Sequence, residues 1–344
     1  MRVLIVKLGA IGDVVMSLTM VSALRAQHPE AHLTWVVGRA ARPILDLVQG
    51  IDDVVVIDDE RLLRGGVVAR AREILALWRR LAGRAFDLVV TGHADPRYRV
   101  LTFPVRAQAR RGFGRSGRDG PLPGRMHSQE YARLVMGLDG PEVPIYQLPL
   151  VTVPLPQGPL KRRSGDRVVI LAPGGARNTL RDDPLRRWPL PSYGALARAL
   201  VAQGCTVVLV GAQGDRIVLP EFADLAVIDL MGRTTLAELA AVFRVADVVV
   251  THDSLALHMA GLVRTGLVAL FGPTMPMEKV PTLSGGPDFT ARVRVLWGGE
   301  GLACRPCYDG RNFHDCKENK CMGEISVERV LAAVHQVLVA VSGR

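Results

Sequence analysis

"RVLIVKLGAIGDVV" (Arg2–Val15) is the stretch that decides the fold. Its first part is an apolar, β-branched run, the composition of a strand covered on both faces. Gly9 and Gly12 break the run, and apolar residues at helical spacing follow. The pattern predicts a strand over Val3–Lys7, a glycine turn, and a helix over Val14–Ala26. Glycine lets the backbone turn tightly and approach a ligand closely. Asp13, on that turn, has two readings: a helix N-cap, or a carboxylate presented at the strand's end.

The same alternation continues outward. Strands are expected over His32–Val37, Asp53–Ile57 and Phe86–Thr91, with helices near Arg42–Leu47 and over Val67–Leu81. From Gly92 to Gln147 the pattern loosens. "RAQARRGFGRSGRDGPLPGR" (Arg106–Arg125) is rich in Arg, Gly and Pro and reads as an exposed loop. "VPLPQGPLKRRSGD" (Val153–Asp166) reads as a linker. Alternation then restarts. Strands are expected over Val168–Ala172, Thr206–Val210, Val248–Thr251 and Leu267–Phe271. Helices are expected over Ser192–Gln203, Leu255–Gly261, Thr235–Ala246 (capped by Thr234 or Thr235) and Ser326–Val341 (capped by Ser326). The fold class is therefore α/β, with two doubly wound parallel-sheet domains, residues 1–158 and 166–344. Ligands of such sheets bind at the strands' carboxyl ends, so two domains facing each other would enclose a cleft.

The chain of 344 residues is 49% hydrophobic and 22% charged, which suits a large core and excludes a disordered chain. The formal net charge of +10 is uneven: residues 1–165 hold 24 Lys/Arg against 15 Asp/Glu, a net +9. A basic half implies an anionic partner. Nucleic acid is set aside, because no basic patch interleaved with aromatics is present. Met1–Leu24 is apolar enough to suggest a signal peptide. Lys7 and Asp13 interrupt it, and no transmembrane run follows, so the expectation is a cytoplasmic protein.

Four further motifs carry chemistry. "APGGARNTLRDDPLRRWP" (Ala172–Pro189) follows a strand; Gly174 and Gly175 with Arg177, Arg181, Arg186 and Arg187 suit phosphate oxygens. "VVVTHDSLALHMAG" (Val248–Gly261) brings His252, Asp253 and Ser254 to a helix start, where amides favour pyrophosphate, with His258 on the same face as Ser254. "VLVGAQGD" (Val208–Asp215) ends in Asp215, either a helix cap or an acceptor for ribose hydroxyls. "CRPCYDGRNFHDCKENKC" spaces Cys304, Cys307, Cys316 and Cys321 as C-x2-C-x8-C-x4-C, with His314 between. Four thiols so close suit a structural zinc or iron. A nicotinamide site is not indicated: the first turn is not G-x-G-x-x-G, and no acid ends the second strand.

Together these motifs resemble glycosyltransferase family 9, the bacterial ADP-heptose:lipopolysaccharide heptosyltransferases. The likeness spans nearly the whole chain. It rests on "RVLIVKLGAIGDVV", "PGGAR…RRWP…Y", "VVVTHDSLALHMAG", "LFGPT" (Leu270–Thr274) and a tail "C-x-x-C…CM…I…V" from Cys304 to Val330. The resemblance implies a GT-B architecture of two Rossmann-like domains, the first binding acceptor and the second the nucleotide sugar. It implies inverting transfer of heptose from ADP-L-glycero-D-manno-heptose to an anionic lipopolysaccharide core. Asp13 would be the general base. Arg186, Asp253, Ser254, Leu255 and His258 would hold pyrophosphate and sugar, and Asp215 would lie near the ribose. No cofactor would serve the catalysis. Leu255 stands where the family usually has glycine. Arg61, Arg64, Arg97, Arg99, Arg110 and Arg111 become candidates for the anionic acceptor, and the basic face would rest on the anionic inner leaflet of the inner membrane. The same motifs would also fit a relative that glycosylates a protein or secondary metabolite, or a nucleotide-sugar-binding protein without transfer.

Overall fold

The structure is a computed structural model describing residues 1–114, 124–138, 144–151, 158, 160–177, 181–308, 313 and 315–342. Residues 115–123 of the expected loop, 152–157 and 159 of the expected linker, and His314 lie outside the described residues. The chain divides into two compact units, Met1–Val153 and Pro154–Arg177 continued by Arg181–Arg344.

The first unit runs β1 (Arg2–Val6), α1 (Ile11–Ser17), α2 (Thr19–Gln27), β2 (His32–Gly38), α3 (Arg42–Leu45), β3 (Asp53–Ile57), α4 (Asp59–Arg64), α5 (Val67–Leu81), β4 (Ala85–Thr91), β5 (Arg106–Gly112) and α6 (His127–Met136). All its strand pairs are parallel, in the order β3-β2-β1-β4-β5. One apolar face of this sheet, with Leu4, Val6, Val36 and Val89, packs on Leu77 and Leu81 of α5.

Two expectations are corrected here. The helix expected over Val14–Ala26 is two helices, broken at Leu18. Ser17 Oγ donates to Val14 O at 2.8 Å and Thr19 Oγ1 to Met16 O at 3.1 Å. Hydroxyls that bond nearby carbonyls compete with the helical ladder and bend it. The start of the expected loop, Arg106–Gly112, is a strand paired with β4. It is an edge strand, and arginines on an edge guard it against pairing with other chains. Its polarity therefore hid it.

The second unit runs β6 (Val168–Ala172), α7 (Leu190–Ala202), β7 (Thr206–Leu209), β8 (Val227–Asp229), α8 (Leu236–Val245), β9 (Val248–His252), α9 (Leu255–Val263), β10 (Gly266–Phe271), three one-turn helices α10 (Pro276–Lys279), α11 (Thr282–Gly285) and α12 (Pro287–Thr290), then β11 (Val293–Trp297), α13 (Lys320–Gly323) and α14 (Val327–Ser342). The strand order is β11-β10-β9-β6-β7-β8, all parallel. Numbered from β6, this is the 3-2-1-4-5-6 order of doubly wound nucleotide-binding sheets. Thr235 caps α8 in a reciprocal box: Glu238 N donates to its hydroxyl at 3.2 Å and its own N–H donates to Glu238 at 2.7 Å. Residues 160–166, expected in the linker, are bound into this unit. Arg162 pairs with Asp247 at 2.9 Å and donates to Val245 O at 2.8 Å.

Each sheet thus reverses its winding at one place, between β1 and β4 in the first unit and between β6 and β9 in the second. Crevices at such reversals are where open α/β sheets take ligands.

Candidate functional site

At the first reversal the chain leaves β1 through Lys7, Leu8 and Gly9, and leaves β4 through Gly92 and His93. Leu8 N donates to His93 Nε2 at 3.0 Å. Burial, reinforced by the charge of Lys7, holds His93 well below the ordinary histidine range, so it is a neutral acceptor. His93 also stacks on Tyr98 at 3.8 Å. Lys7 is buried, with Nζ 3.0 Å from Asp13 Oδ2 and 5.5 Å from the centre of the Tyr131 ring. Burial alone would lower the lysine; Asp13 and Tyr131 outweigh it and hold the ammonium above its ordinary range. Burial pushes Tyr131 up to about 12 against the pull of Lys7.

The side chain of Asp13 is 44% exposed. It is the third residue of α1, whose N-cap is Ala10, so the cap reading does not hold. A carboxylate in the first turn still gains from the positive helix end. The result is a half-open carboxylate held from beneath by a buried ammonium.

At the second reversal Gly174 and Gly175 follow β6, and His252, Asp253 and Ser254 end β9 and start α9. Gly175 has φ +84°, and a Cβ on Gly174 would lie 2.4 Å from the Asp215 carboxyl carbon. Asp215 accepts from Gly175 N at 3.1 Å and Ala212 N at 2.8 Å. Both of its oxygens brace the two turns, and the bond from the N-cap Ala212 is the helix-cap alternative of the two expected.

Asp253 is buried, with Oδ2 3.4 Å from Arg186, and Arg186 also pairs with Asp183 at 3.2 Å. Burial would raise the Asp253 carboxyl, but Arg186, Lys279 and His258 prevail and hold it below the ordinary range. Arg186 Nε is buried without a hydrogen-bond partner. Ser254 is the N-cap of α9, but its side chain makes no bond to the helix amides; its Oγ lies 3.0 Å from Thr251 Oγ1. The first amides of α9, beginning at Leu255, therefore keep their capacity for an anion. His258 is buried one turn on. His252 is fully buried and shares a 3.2 Å hydrogen bond with Tyr193 through Nδ1. Burial lowers it to about 4, so it is neutral. The structure brings together Gly174, Gly175, Arg186, Asp253, Ser254, Leu255 and His258. It also adds Lys279, which sequence reading did not single out.

The six acceptor candidates divide. Arg99, Arg110 and Arg111 line one cavity of about 720 Å³ with Arg133 and Phe103. Within it Arg110 donates to Thr102 O at 3.2 Å, and Arg111 donates to Val135 O at the end of α6. Arginines near helix ends commonly satisfy such carbonyls. Arg61 pairs with Asp58 at 3.5 Å, Arg97 pairs with Asp95 at 2.6 Å, and Arg64 is exposed; none of the three lines that cavity.

The four cysteines line one cavity of about 250 Å³. Cys304 is exposed, Cys307 and Cys321 are buried, and Cys316 is between. Burial, then the neighbouring thiols, push Cys321 up to about 11. Cys321 packs as a small hydrophobe: Cβ atoms added to Gly272 and Gly299 would each lie 2.7 Å from it. Among the described residues no group of three or more His, Cys, Asp or Glu could hold an ion.

Two Rossmann-like parallel sheets, each with charged groups gathered at its reversal, define a two-domain α/β protein. The family model "Glycosyltransferase family 9 (heptosyltransferase)" matches residues 158–294. Lipooligosaccharide heptosyltransferase 2 of Haemophilus influenzae is 25% identical, over 87% of this chain and 90% of that one. Among solved structures, a family 9 glycosyltransferase from Veillonella parvula superposes with TM-score 0.75 at 19% identity, covering 98% of this chain and 97% of that one. The E. coli ADP-heptose LPS heptosyltransferase II superposes with TM-score 0.73 at 20% identity, covering 98% and 99%. The chain is thus similar to heptosyltransferases of glycosyltransferase family 9, the family model itself matching part of the second unit.

Proposed function

We propose that this glycosyltransferase moves heptose from ADP-L-glycero-D-manno-heptose to an anionic lipopolysaccharide-core acceptor with inversion, Asp13 acting as general base. The observation that carries the reading is the Lys7–Asp13 pair at the carboxyl end of β1. The acceptor oxygen attacks the anomeric carbon and its proton passes to Asp13. The bond from that carbon to the diphosphate oxygen breaks, and ADP leaves with the electron pair. A positioned base is worth about 10²–10⁴-fold. Arg186 and the start of α9 would stabilise the charge developing on the diphosphate. Proton and charge are then both accounted for by side chains and amides, with no cofactor invoked. The relatives named above support the donor and acceptor classes.

In this reading the first unit takes the acceptor and the second the nucleotide sugar. The net +9 of residues 1–165 and the cavity holding Arg99, Arg110 and Arg111 suit an anionic glycolipid. Among the described residues no helix is long and apolar enough to cross a membrane. Val68, Arg72, Leu75 and Arg79 share an exposed face of α5, which suits peripheral contact with an anionic inner leaflet from the cytoplasmic side.

The test is turnover of ADP-heptose with a lipopolysaccharide-core acceptor, followed by ADP release. Asp13→Asn is expected to lower kcat by about 10²–10⁴-fold while ADP still binds. Near-normal turnover in that variant overturns the assignment.

A further inference from the structure

The cysteine-rich segment reaches the turn that carries Arg181 and Arg186. The guanidinium carbons of Arg181 and Arg186 each lie 5.7 Å from the ring centres of both Tyr308 and Phe313. The two rings are 4.8 Å apart, inclined at 33°, and their residues pair in an antiparallel bridge. The segment is anchored beside them: Cys307 N and Tyr308 N both donate to Pro273 O, at 3.1 and 3.2 Å. Pro273 belongs to the turn after β10, the strand paired with β9, and β9 leads into Asp253.

We infer that Tyr308 and Phe313 are positioning residues for Arg181 and Arg186. The inference rests on the reading that Arg186 receives the donor's diphosphate. Two like charges on one aromatic pair repel each other, and Asp183 lies between them, pairing with each at 3.2 Å. An aromatic face holds a guanidinium by its flat side and uses none of its N–H groups. A third carboxylate would fix the arginines as firmly but would occupy donors that the diphosphate needs. Arg186 Nε, buried and without a partner, is a donor kept back in this way. The aromatic pair thus fixes the flat faces of two forks, one reaching Asp183 and the other both Asp183 and Asp253.

The experiment is calorimetric titration of the full chain with ADP and with AMP. The proteins are wild type, Tyr308→Phe, Tyr308→Leu/Phe313→Leu and Arg186→Ala, each checked for folding by thermal melt. The double leucine variant is expected to bind ADP about ten-fold more weakly and AMP much less so. Its preference for the diphosphate then shrinks, as it does in Arg186→Ala. Tyr308→Phe, which keeps the ring, retains wild-type preference. A general loosening of the domain would weaken both nucleotides equally. An unchanged ADP-to-AMP ratio in the double variant, with the ratio lowered in Arg186→Ala, overturns the inference and leaves the donor reading standing. An unchanged ratio in Arg186→Ala overturns both. If the double variant does not fold, Phe313→Leu alone is read the same way.

Discussion

Lys7 Nζ lies 3.0 Å from Asp13 Oδ2, the ammonium buried and the carboxylate half open to water. The pair has a stability side that can be separated from catalysis. Removing the acid alone leaves a buried cation uncompensated, the costly way to break such a pair. Because Asp13 is 44% exposed, water shares the compensation. Asp13→Ala is therefore expected to cost about 1–3 kcal/mol, below the range for fully buried pairs. Adding Lys7→Met removes the orphaned charge and is expected to recover most of that loss without recovering turnover. Urea unfolding of both variants checks this. A double variant no more stable than Asp13→Ala would mean that Asp13 does not compensate Lys7.

His252 predicts a pH dependence. Burial lowers it to about 4 from an ordinary value of 6.5. A depressed histidine binds its proton more readily unfolded than folded. Its contribution is complete above pH 6.5 and is lost as the pH falls toward 4. His93, lowered by burial and by Lys7, acts in the same direction. Stability measured by urea unfolding should fall between pH 7 and 4.5, and His252→Gln should flatten that fall. An identical slope in the variant would assign the loss to other groups.

The strands buried on both faces were legible in sequence, because β1, β6, β9 and β10 are continuous apolar runs. Of the edge strands, β3 was legible as Asp53–Ile57, but β5 and β8 were not. β5 carries Arg106, Arg110 and Arg111, and β8 is three residues long, since an edge satisfies only one ladder and one half-buried face. The site shows the same division. Asp13, Arg186 and Asp253 stand beside glycines or helix starts at strand ends, a local pattern. Their partners are set by which strands lie side by side. Lys7 was visible as the one charge ending an apolar run, yet only the folded turn brings it to Asp13. Asp215 is consumed by an amide forty residues away, at Gly175. Tyr308 and Arg186 lie on segments that no short-range pattern connects.

The bracing role of Asp215 separates from a ligand role by what its loss changes. Asp215→Asn replaces one carboxylate oxygen with a donor facing an N–H. The expected cost is about 1–3 kcal/mol, the range for an unsatisfied buried group. Gly174→Ala should destabilise similarly, since its methyl would lie 2.4 Å from the same carboxyl carbon. Both should lower the thermal midpoint. A loss of ADP affinity in Asp215→Asn with the midpoint unchanged would instead restore the ribose contact.

The exposed face of α5 gives the last prediction. Val68 is 65% exposed and Leu75 46%, beside Arg72 and Arg79. Near an anionic bilayer each arginine gains about 1 kcal/mol, and this fades beyond a Debye length. The apolar pair adds a smaller term that salt does not screen. The protein should therefore sediment with vesicles containing anionic phospholipid, less so at high salt, and not with purely zwitterionic vesicles. Arg72→Glu/Arg79→Glu should remove most of the binding, and Leu75→Asp part of it. Neither substitution touches the groups around Asp13 or Asp253, so ADP affinity should stay at the wild-type level. Equal sedimentation of the charge-reversed variant would place the contact elsewhere on the basic unit, and the cavity holding Arg99, Arg110 and Arg111 would be the next surface to reverse.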